Sequence, residues 1–194
     1  MQYRESISQE QLEGLPLAVF EGKITVVDKI GPAFDEAVRY LKRQQVIGFD
    51  TETKPTFAPH QPRPETALLQ LSGKQRAFLF RTNKIGMPRK LCMLLSSKEI
   101  IKVGAAVRDD VHGLQRYTPF CDEAFVDLQQ MVGDYGILDK SVKKMSGIIL
   151  GVRISKAQQL SNWEADSLSE AQQLYAATDA WVCREMYMKL IHNG

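Results

Sequence analysis

The sequence contains few of the residues that stabilise a fold through disulfides or zinc. Its 194 residues include three cysteines and three histidines. The cysteines lie far apart with no Cys-x-x-Cys pair, and the histidines do not fall at zinc-ligand spacings near them. We therefore expect reduced thiols, two of them packed in the interior, and neither a disulfide framework nor a zinc scaffold.

Long apolar segments are missing as well. The N-terminal stretch MQYRESISQE is polar and acidic, and it lacks the apolar region of a signal peptide. No apolar run reaches the length of a membrane span. These absences predict a cytoplasmic protein that makes no membrane contact.

A strong charge of either sign is also absent. The formal net charge is +2, whereas nucleic-acid-binding domains usually show a clearly basic balance. Short clusters of lysine and arginine occur, but clusters of this size are usually solvated surface. The charge balance by itself therefore does not indicate a partner.

The residues that are present indicate an ordinary globular domain. The composition is 44% hydrophobic and 25% charged, and a chain of 194 residues can bury one sizeable core. We find no internal repeat, low-complexity tract or interdomain linker. The sequence therefore predicts a single domain over residues 1–194, with an N-terminal extension to about residue 20.

Strand and helix patterns alternate along the chain. The strand patterns fall at residues 23–28, 46–52, 100–106 and 124–129, and in a hairpin around Gly73. The helical patterns fall at a short segment after Ser8, at residues 32–44, 88–97, 109–117 and 139–150, and from Ser169 onward. This order predicts a layered α/β fold.

Two carboxylates stand at the end of the second predicted strand. Asp50 and Glu52 are two residues apart, so their side chains project from one face while Phe49 and Thr51 face the other way. Two carboxylates about 4 Å apart repel by roughly 4 kcal/mol at an effective dielectric near 20, unless a proton or a cation relieves the repulsion. A D-x-E pair alone is also compatible with an exposed strand end.

Two later segments carry further acidic residues. Asp109 and Asp110 follow the strand pattern KVGAA, at the carboxyl end where α/β sheets tend to place their sites. Tyr175 and Asp179 lie one turn apart on a predicted helix. Taken singly, either aspartate could cap a helix, and the tyrosine pair could lie on the surface.

Together these segments resemble a known family. FDTET, VGAAVRDD and YAATDA resemble, in order, the three motifs of the DEDDy 3'-5' exonucleases, and SNWEADSLSEAQQLYAATDAW is similar to the third-motif region of Werner-syndrome-type and ribonuclease D-like exonucleases. The resemblance spans about residues 20–192. Either acid of the second motif could align, and the spacing from Gly104 together with Leu114 favours Asp110. Ser167 stands where the family commonly has proline.

The resemblance implies both a fold and an activity. The implied fold is RNase H-like, an α/β domain with a mixed central sheet flanked by helices. The implied activity is hydrolysis of phosphodiester bonds from the 3' end of DNA or RNA, with two divalent cations, Mg²⁺ or Mn²⁺. The implied metal ligands are Asp50, Glu52, Asp110 and Asp179. Tyr175 would orient the attacking water, because a phenol with a pKa near 10 is a poor base at neutral pH.

The resemblance also indicates which residues would hold the substrate. The candidates are Thr51 through its backbone, Phe57 as a stacking platform, Leu68, Gln70, Arg153 and Lys156. The last two would contact backbone phosphates in a salt-sensitive manner. An aromatic or leucine residue at such positions is also often part of the core.

Two other functional classes share parts of this pattern. One is a catalytically inactive RNase H-like module that binds nucleic acid, but all four acids and Tyr175 are present here. The other is an aspartic protease, which needs Asp-Thr-Gly where this sequence has Glu52 after Asp50-Thr51. The nuclease interpretation therefore fits the sequence best.

Overall fold

A six-stranded mixed sheet forms the centre of residues 3–55 and 64–193, the part of the chain that the computed structural model describes. The strands are β1 (Lys23–Val27), β2 (Val46–Thr53), β3 (Thr66–Ser72), β4 (Arg76–Phe80), β5 (Ile101–Gly104) and β6 (Phe125–Asp127). Their order across the sheet is β1-β4-β3-β2-β5-β6.

The middle of the sheet is antiparallel and its edges are parallel. The strands β2, β3 and β4 form an antiparallel meander, and Gly73 lies in the predicted hairpin between β3 and β4. The strands β5 and β6 continue the sheet in parallel beside β2, and β1 pairs in parallel with β4. The mixed central sheet predicted from the sequence is therefore confirmed.

Helices cover both faces of this sheet. They are α1 (Gln9–Glu13), α2 (Pro32–Leu41), α3 (Thr82–Ile85), α4 (Arg89–Leu95), α5 (Val107–Gln115), α6 (Leu128–Met131), α7 (Val142–Ile149) and α8 (Glu170–Asn193), with a 3₁₀ turn at Val132–Tyr135. Among the helices of the described residues, none combines the length and apolar composition that crossing a membrane requires. The cytoplasmic location stays a prediction.

Two predicted strands are shorter in the structure, and each has a local reason. The strand predicted at residues 100–106 ends at Gly104, because Ala106 adopts a left-handed conformation and α5 begins at Val107. The strand predicted at residues 124–129 ends at Asp127, whose side chain accepts a hydrogen bond from the Gln129 amide and starts α6. The carboxyl ends of β5 and β6 therefore lie on the side of the sheet where the acidic residues are found.

The alternation of side chains along β2 divides the interior into two layers. Phe49 and its neighbours on β3 and β4 pack with α2, α4 and α5 in one apolar cluster. The opposite face of β2 carries Gly48, Asp50 and Glu52, and α8 packs across that face and onto β3. The polar pair therefore lies between the sheet and the C-terminal helix.

Gly48 allows α8 to approach the sheet closely. A Cβ atom at this position would lie 1.7 Å from the carbonyl oxygen of Ala180. Only a residue without a side chain leaves room for the helix backbone at this point. Because Asp50 is two residues beyond Gly48 and Asp179 directly precedes Ala180, this contact brings the two acids together.

We expect Gly48→Ala to lower the free energy of unfolding by about 3 kcal/mol or more, because a rigid backbone atom occupies the space that the methyl group needs. Urea denaturation followed by circular dichroism measures this change. Gly133→Ala is a matched control, since a Cβ there meets nothing nearer than the Lys140 Nζ at 3.8 Å. If Gly48→Ala were as stable as the control, the contact between α8 and β2 would have room for a methyl group and the prediction would be wrong.

Candidate active site

Three carboxylates from two distant segments converge above the sheet. Asp50 and Glu52 project from β2, and Asp179 projects from α8. One oxygen from each carboxylate can be chosen so that all three lie within 4.8 Å of one another. A single cation placed among them could contact all three, and carboxylate oxygens are the ligands that Mg²⁺ and Mn²⁺ prefer.

The fourth predicted acid, Asp110, reaches this site from α5. The Thr51 hydroxyl donates a hydrogen bond to Asp110 Oδ1 at 2.6 Å, which ties the first turn of α5 to β2. Asp110 lies outside the group of three carboxylates that are closest to one another, but its charge acts on both Asp50 and Glu52. Asp109 is exposed, so Asp110 is the aspartate of this pair that faces the site.

Burial and mutual repulsion make these carboxylates hard to ionise. Burial, followed by the charges of Asp179 and Glu52, raises the pKa of Asp50 well above its ordinary value. The pKa of Glu52 is raised to about 9 by burial and by the charges of Asp179 and Asp110. Burial also raises the pKa of Asp179 to about 7. Protons or bound cations must therefore neutralise part of the cluster at neutral pH.

Two polar side chains complete the cavity around the acids. This cavity has a volume of about 320 Å³, and its walls include Tyr175 and Lys156. The phenol of Tyr175 lies close to the carboxylate of Asp179, and burial together with the neighbouring carboxylates raises the pKa of the phenol. The positive charge of Lys156 acts in the opposite sense and lowers the pKa of Asp179. Tyr175 therefore keeps its proton and can act as a donor.

Trp163 supports Tyr175 from inside the protein. The two rings lie 6.0 Å apart between centroids, at an interplanar angle of 34°, and Trp163 is fully buried. The loop that carries Trp163 is attached to the sheet by Arg81, whose guanidinium donates hydrogen bonds to the carbonyl oxygens of Trp163 and Ala165. Sequence reasoning missed Arg81, although an arginine at the end of an apolar strand was a signal that could have indicated it.

The comparisons with known proteins agree with this geometry. A family model described as 3'-5' exonuclease matches residues 30–193. The chain belongs to the DEDDy family of 3'-5' exonucleases.

Two curated relatives are similar to most of this exonuclease-family chain. A bifunctional 3'-5' exonuclease/ATP-dependent helicase of Mus musculus is 32% identical over 161 residues, which cover 79% of this chain and 11% of that protein. Ribonuclease D of Gluconacetobacter diazotrophicus is 31% identical over 159 residues, which cover 80% of this chain and 39% of that protein. The chain thus spans well under half the length of either relative.

A solved structure has the same fold as this exonuclease-family chain. The crystal structure of the Aedes aegypti Nibbler EXO domain superimposes with a TM-score of 0.77 at 22% sequence identity. The superposition covers 91% of this chain and 94% of that one. It confirms the predicted RNase H-like fold.

Three of the predicted substrate contacts are side chains that other parts of the protein cover or hold, and their role in binding substrate stays a prediction. Leu68 and Gln70 have no exposed surface, because α8 covers the face of β3 from which they project. Leu68 packs with Trp163 in an apolar cluster against which Tyr175 also packs. Arg153 donates from Nε to the Leu15 carbonyl oxygen at 3.0 Å, so its side chain holds the N-terminal segment.

The remaining substrate candidates have different positions. Thr51 and Lys156 both line the cavity that contains the acids, and Lys156 is exposed there. Phe57 lies outside the described residues. The structure also adds a feature that sequence reasoning did not include, since Thr51 contacts Asp110 through its hydroxyl.

We expect the metal-free protein to lose stability as the pH rises from about 4 to about 9. The folded pKa values of Glu52 and Asp179, about 9 and about 7, exceed the ordinary values of 4.5 and 3.8, so the native state binds more protons than the unfolded state across this range. Thermal melts in chelator at a series of pH values measure the slope. Mg²⁺ or Mn²⁺ should raise the melting temperature most at the alkaline end, because the cation replaces the bound protons.

A comparison of the parent protein with Glu52→Gln separates the contribution of the acidic cluster to this pH dependence from that of other titrating groups. This variant removes the acid whose pKa is raised to about 9, so its stability should depend less on pH than that of the parent protein. Asp134→Asn, a change at an exposed acid that does not act on the pKa values of the cluster, should leave the slope unchanged. Equal slopes in the parent protein and Glu52→Gln would contradict the prediction.

Proposed function

We propose that this protein is a metal-dependent 3'-5' exonuclease that removes nucleotides from the 3' end of DNA or RNA by a two-metal-ion mechanism. The observation that supports this most strongly is the convergence of Asp50, Glu52 and Asp179 within 4.8 Å, in a chain of the exonuclease family. A cluster of acids this close is unfavourable by itself. Cations that activate water and stabilise a leaving alkoxide would make it both tolerable and useful.

The four acids would divide between two cation sites. Asp50, Glu52 and Asp179 would hold one Mg²⁺ or Mn²⁺, because their oxygens already lie close together. Asp110 would contribute to the second site with Asp50, since the Thr51 hydroxyl holds it on the neighbouring side of β2. When bound, such a pair of ions supplies Lewis acidity at the attacking water and at the departing 3' oxygen.

Tyr175 would position the water. Its raised pKa keeps the phenol protonated, so it cannot serve as a general base at neutral pH. The phenol lies close to Asp179, and the tilted contact with the buried ring of Trp163 limits movement of the Tyr175 ring. The hydroxyl is therefore ready to orient a water molecule beside Asp179.

Lys156 would hold the phosphate of the substrate. Its ammonium group lines the same cavity as the acids and is close enough to lower the pKa of Asp179. A cation at the edge of an acidic site can bind a phosphate without competing for the metal positions. Thr51 lines the same cavity, and its backbone would contact the terminal nucleotide, as the family resemblance implies.

The central test is degradation of 5'-labelled oligonucleotides, with single-stranded and duplex forms of DNA and RNA compared in Mg²⁺ and in Mn²⁺. We expect a ladder that shortens from the 3' end and requires the metal. Asp50→Asn should reduce the rate by about 10³-fold or more, because it weakens a ligand worth several kcal/mol of charge stabilisation in the transition state. The matched control is Asp109→Asn, which changes an exposed acid near the site.

Two results would exclude the proposed activity. One is the appearance of internal cleavage products, which would indicate an endonuclease. The other is binding of the oligonucleotides with no shortening under any metal condition, which would identify a module that holds nucleic acid without cutting it. Comparison of the four substrates in the same experiment also assigns the preference between DNA and RNA.

We expect Tyr175→Phe to lower kcat by about 10- to 100-fold, the effect of losing one hydrogen bond that orients the water. Its affinity for Mn²⁺ in a calorimetric titration should stay near that of the parent protein, because the phenol is not among the proposed ligands. Tyr187→Phe, a change farther along α8, is the control for removal of a hydroxyl from this helix. Unchanged kcat in Tyr175→Phe would restrict Tyr175 to a packing role.

A further inference from the structure

The turn between β5 and α5 contains a residue in an unfavourable backbone conformation. Ala106, which directly precedes α5, has φ 57° and ψ 37°, in the left-handed region. The left-handed conformation is less stable for alanine than for glycine, because the alanine Cβ crowds the backbone. Some other contact must therefore hold this turn in place.

Asp127 supplies that contact from the neighbouring strand. Its Oδ1 accepts a hydrogen bond from the Ala106 amide at 3.0 Å and a second one from the Gln129 amide at 2.9 Å. Asp127 is the last residue of β6 and lies beside Gly104, the last residue of β5. One carboxylate oxygen thus joins the start of α5 to the start of α6.

The position of this turn determines where Asp110 lies. Asp110 is four residues after Ala106, one turn into α5, and it accepts the 2.6 Å hydrogen bond from Thr51. On the sheet side, a Cβ at Gly104 would lie 2.7 Å from the Phe49 carbonyl oxygen, so the turn is already packed against β2. The bond to Asp127 adds a constraint at the first residues of the turn, ahead of the packing of Val107, Val111 and Leu114 in the apolar cluster.

The charge of Asp127 is unfavourable for its neighbour Asp110. Burial comes first among the causes that raise the pKa of Asp110 to about 6, and the charges of Asp109 and Asp127 act in the same direction. A negative charge at Asp127 therefore opposes ionisation of a proposed metal ligand. The favourable property of this side chain is that its oxygen can accept two backbone hydrogen bonds.

We propose that Asp127 is a positioning residue for Asp110: by holding the left-handed turn at Ala106, it orients the first turn of α5 so that Asp110 meets Thr51 and the acidic cluster. This inference rests on the proposed nuclease function for its kinetic consequence. Its structural part, the restraint of α5, can be measured without any activity.

The experiment compares four variants with the parent protein. Asp127→Ala removes the acceptor, and Asp127→Asn keeps an oxygen at the same position while removing the charge. Ala106→Gly relieves the backbone strain, and it is made alone and together with Asp127→Ala. Asp134→Ala, at an exposed aspartate in the adjacent 3₁₀ turn, is the matched control.

We expect Asp127→Ala to lower kcat by about 10-fold or more while KM for the oligonucleotide changes by less than about threefold, since the displaced group acts on the reaction and not on the substrate. Asp127→Asn and Asp134→Ala should stay within about threefold of the parent rate. Adding Ala106→Gly to Asp127→Ala should recover about fivefold, because glycine adopts the left-handed conformation without strain. The single variant Ala106→Gly shows how much of that recovery comes from general stabilisation by glycine at this turn.

Amide hydrogen exchange supplies a measurement that does not depend on activity. In metal-free protein, amides 106–110 should exchange faster in Asp127→Ala than in the parent protein, and Ala106→Gly should partly reverse this. The inference would be overturned by unchanged amide exchange or by full activity in Asp127→Ala. It would also be overturned if the double variant recovered no activity, or if Asp127→Asn lost as much activity as Asp127→Ala. If the parent protein cuts no nucleic acid but Asp127→Ala still speeds amide exchange, the restraint of α5 is supported and the nuclease function is rejected.

Discussion

The direct contact between the backbone of α8 and β2 is the constraint on which the rest of the structure depends. The carbonyl group of Ala180 occupies the space that a side chain on Gly48 would fill. Asp50 and Asp179 lie next to this contact, so their separation follows from it. The same approach closes one face of the sheet and leaves the acids at the polar end of a mostly apolar layer that also contains Gln70.

The acidic cluster costs stability that other parts of the protein supply. Burial and mutual repulsion raise the pKa values of Asp50 and Glu52, so the metal-free fold keeps carboxyl groups in an unfavourable setting. The surroundings compensate with buried apolar contacts and with hydrogen bonds from Arg81 that attach the loop before α8. Such a balance is common where a site must hold like charges together for its chemistry.

Much of the fold and the acidic part of the site could be predicted from local patterns. The spacing of two in a strand predicted that Asp50 and Glu52 share a face, and the spacing of four in a helix predicted the same for Tyr175 and Asp179. Burial could not be predicted in this way. Gln70 is internal because α8 covers its strand, and no pattern within β3 encodes the position of a helix that lies a hundred residues later in the chain.

The sequence by itself determined the family, the alternation of strands and helices, and the identity of the acids, because each depends on residue types at short spacings. The tertiary structure alone decided how closely those acids approach, that the Thr51 hydroxyl contacts Asp110, and that Arg153 holds the N-terminal segment. These properties depend on contacts between segments that are distant along the chain. Such contacts depend on how the backbone packs, and no regular spacing of residues in the sequence indicates them.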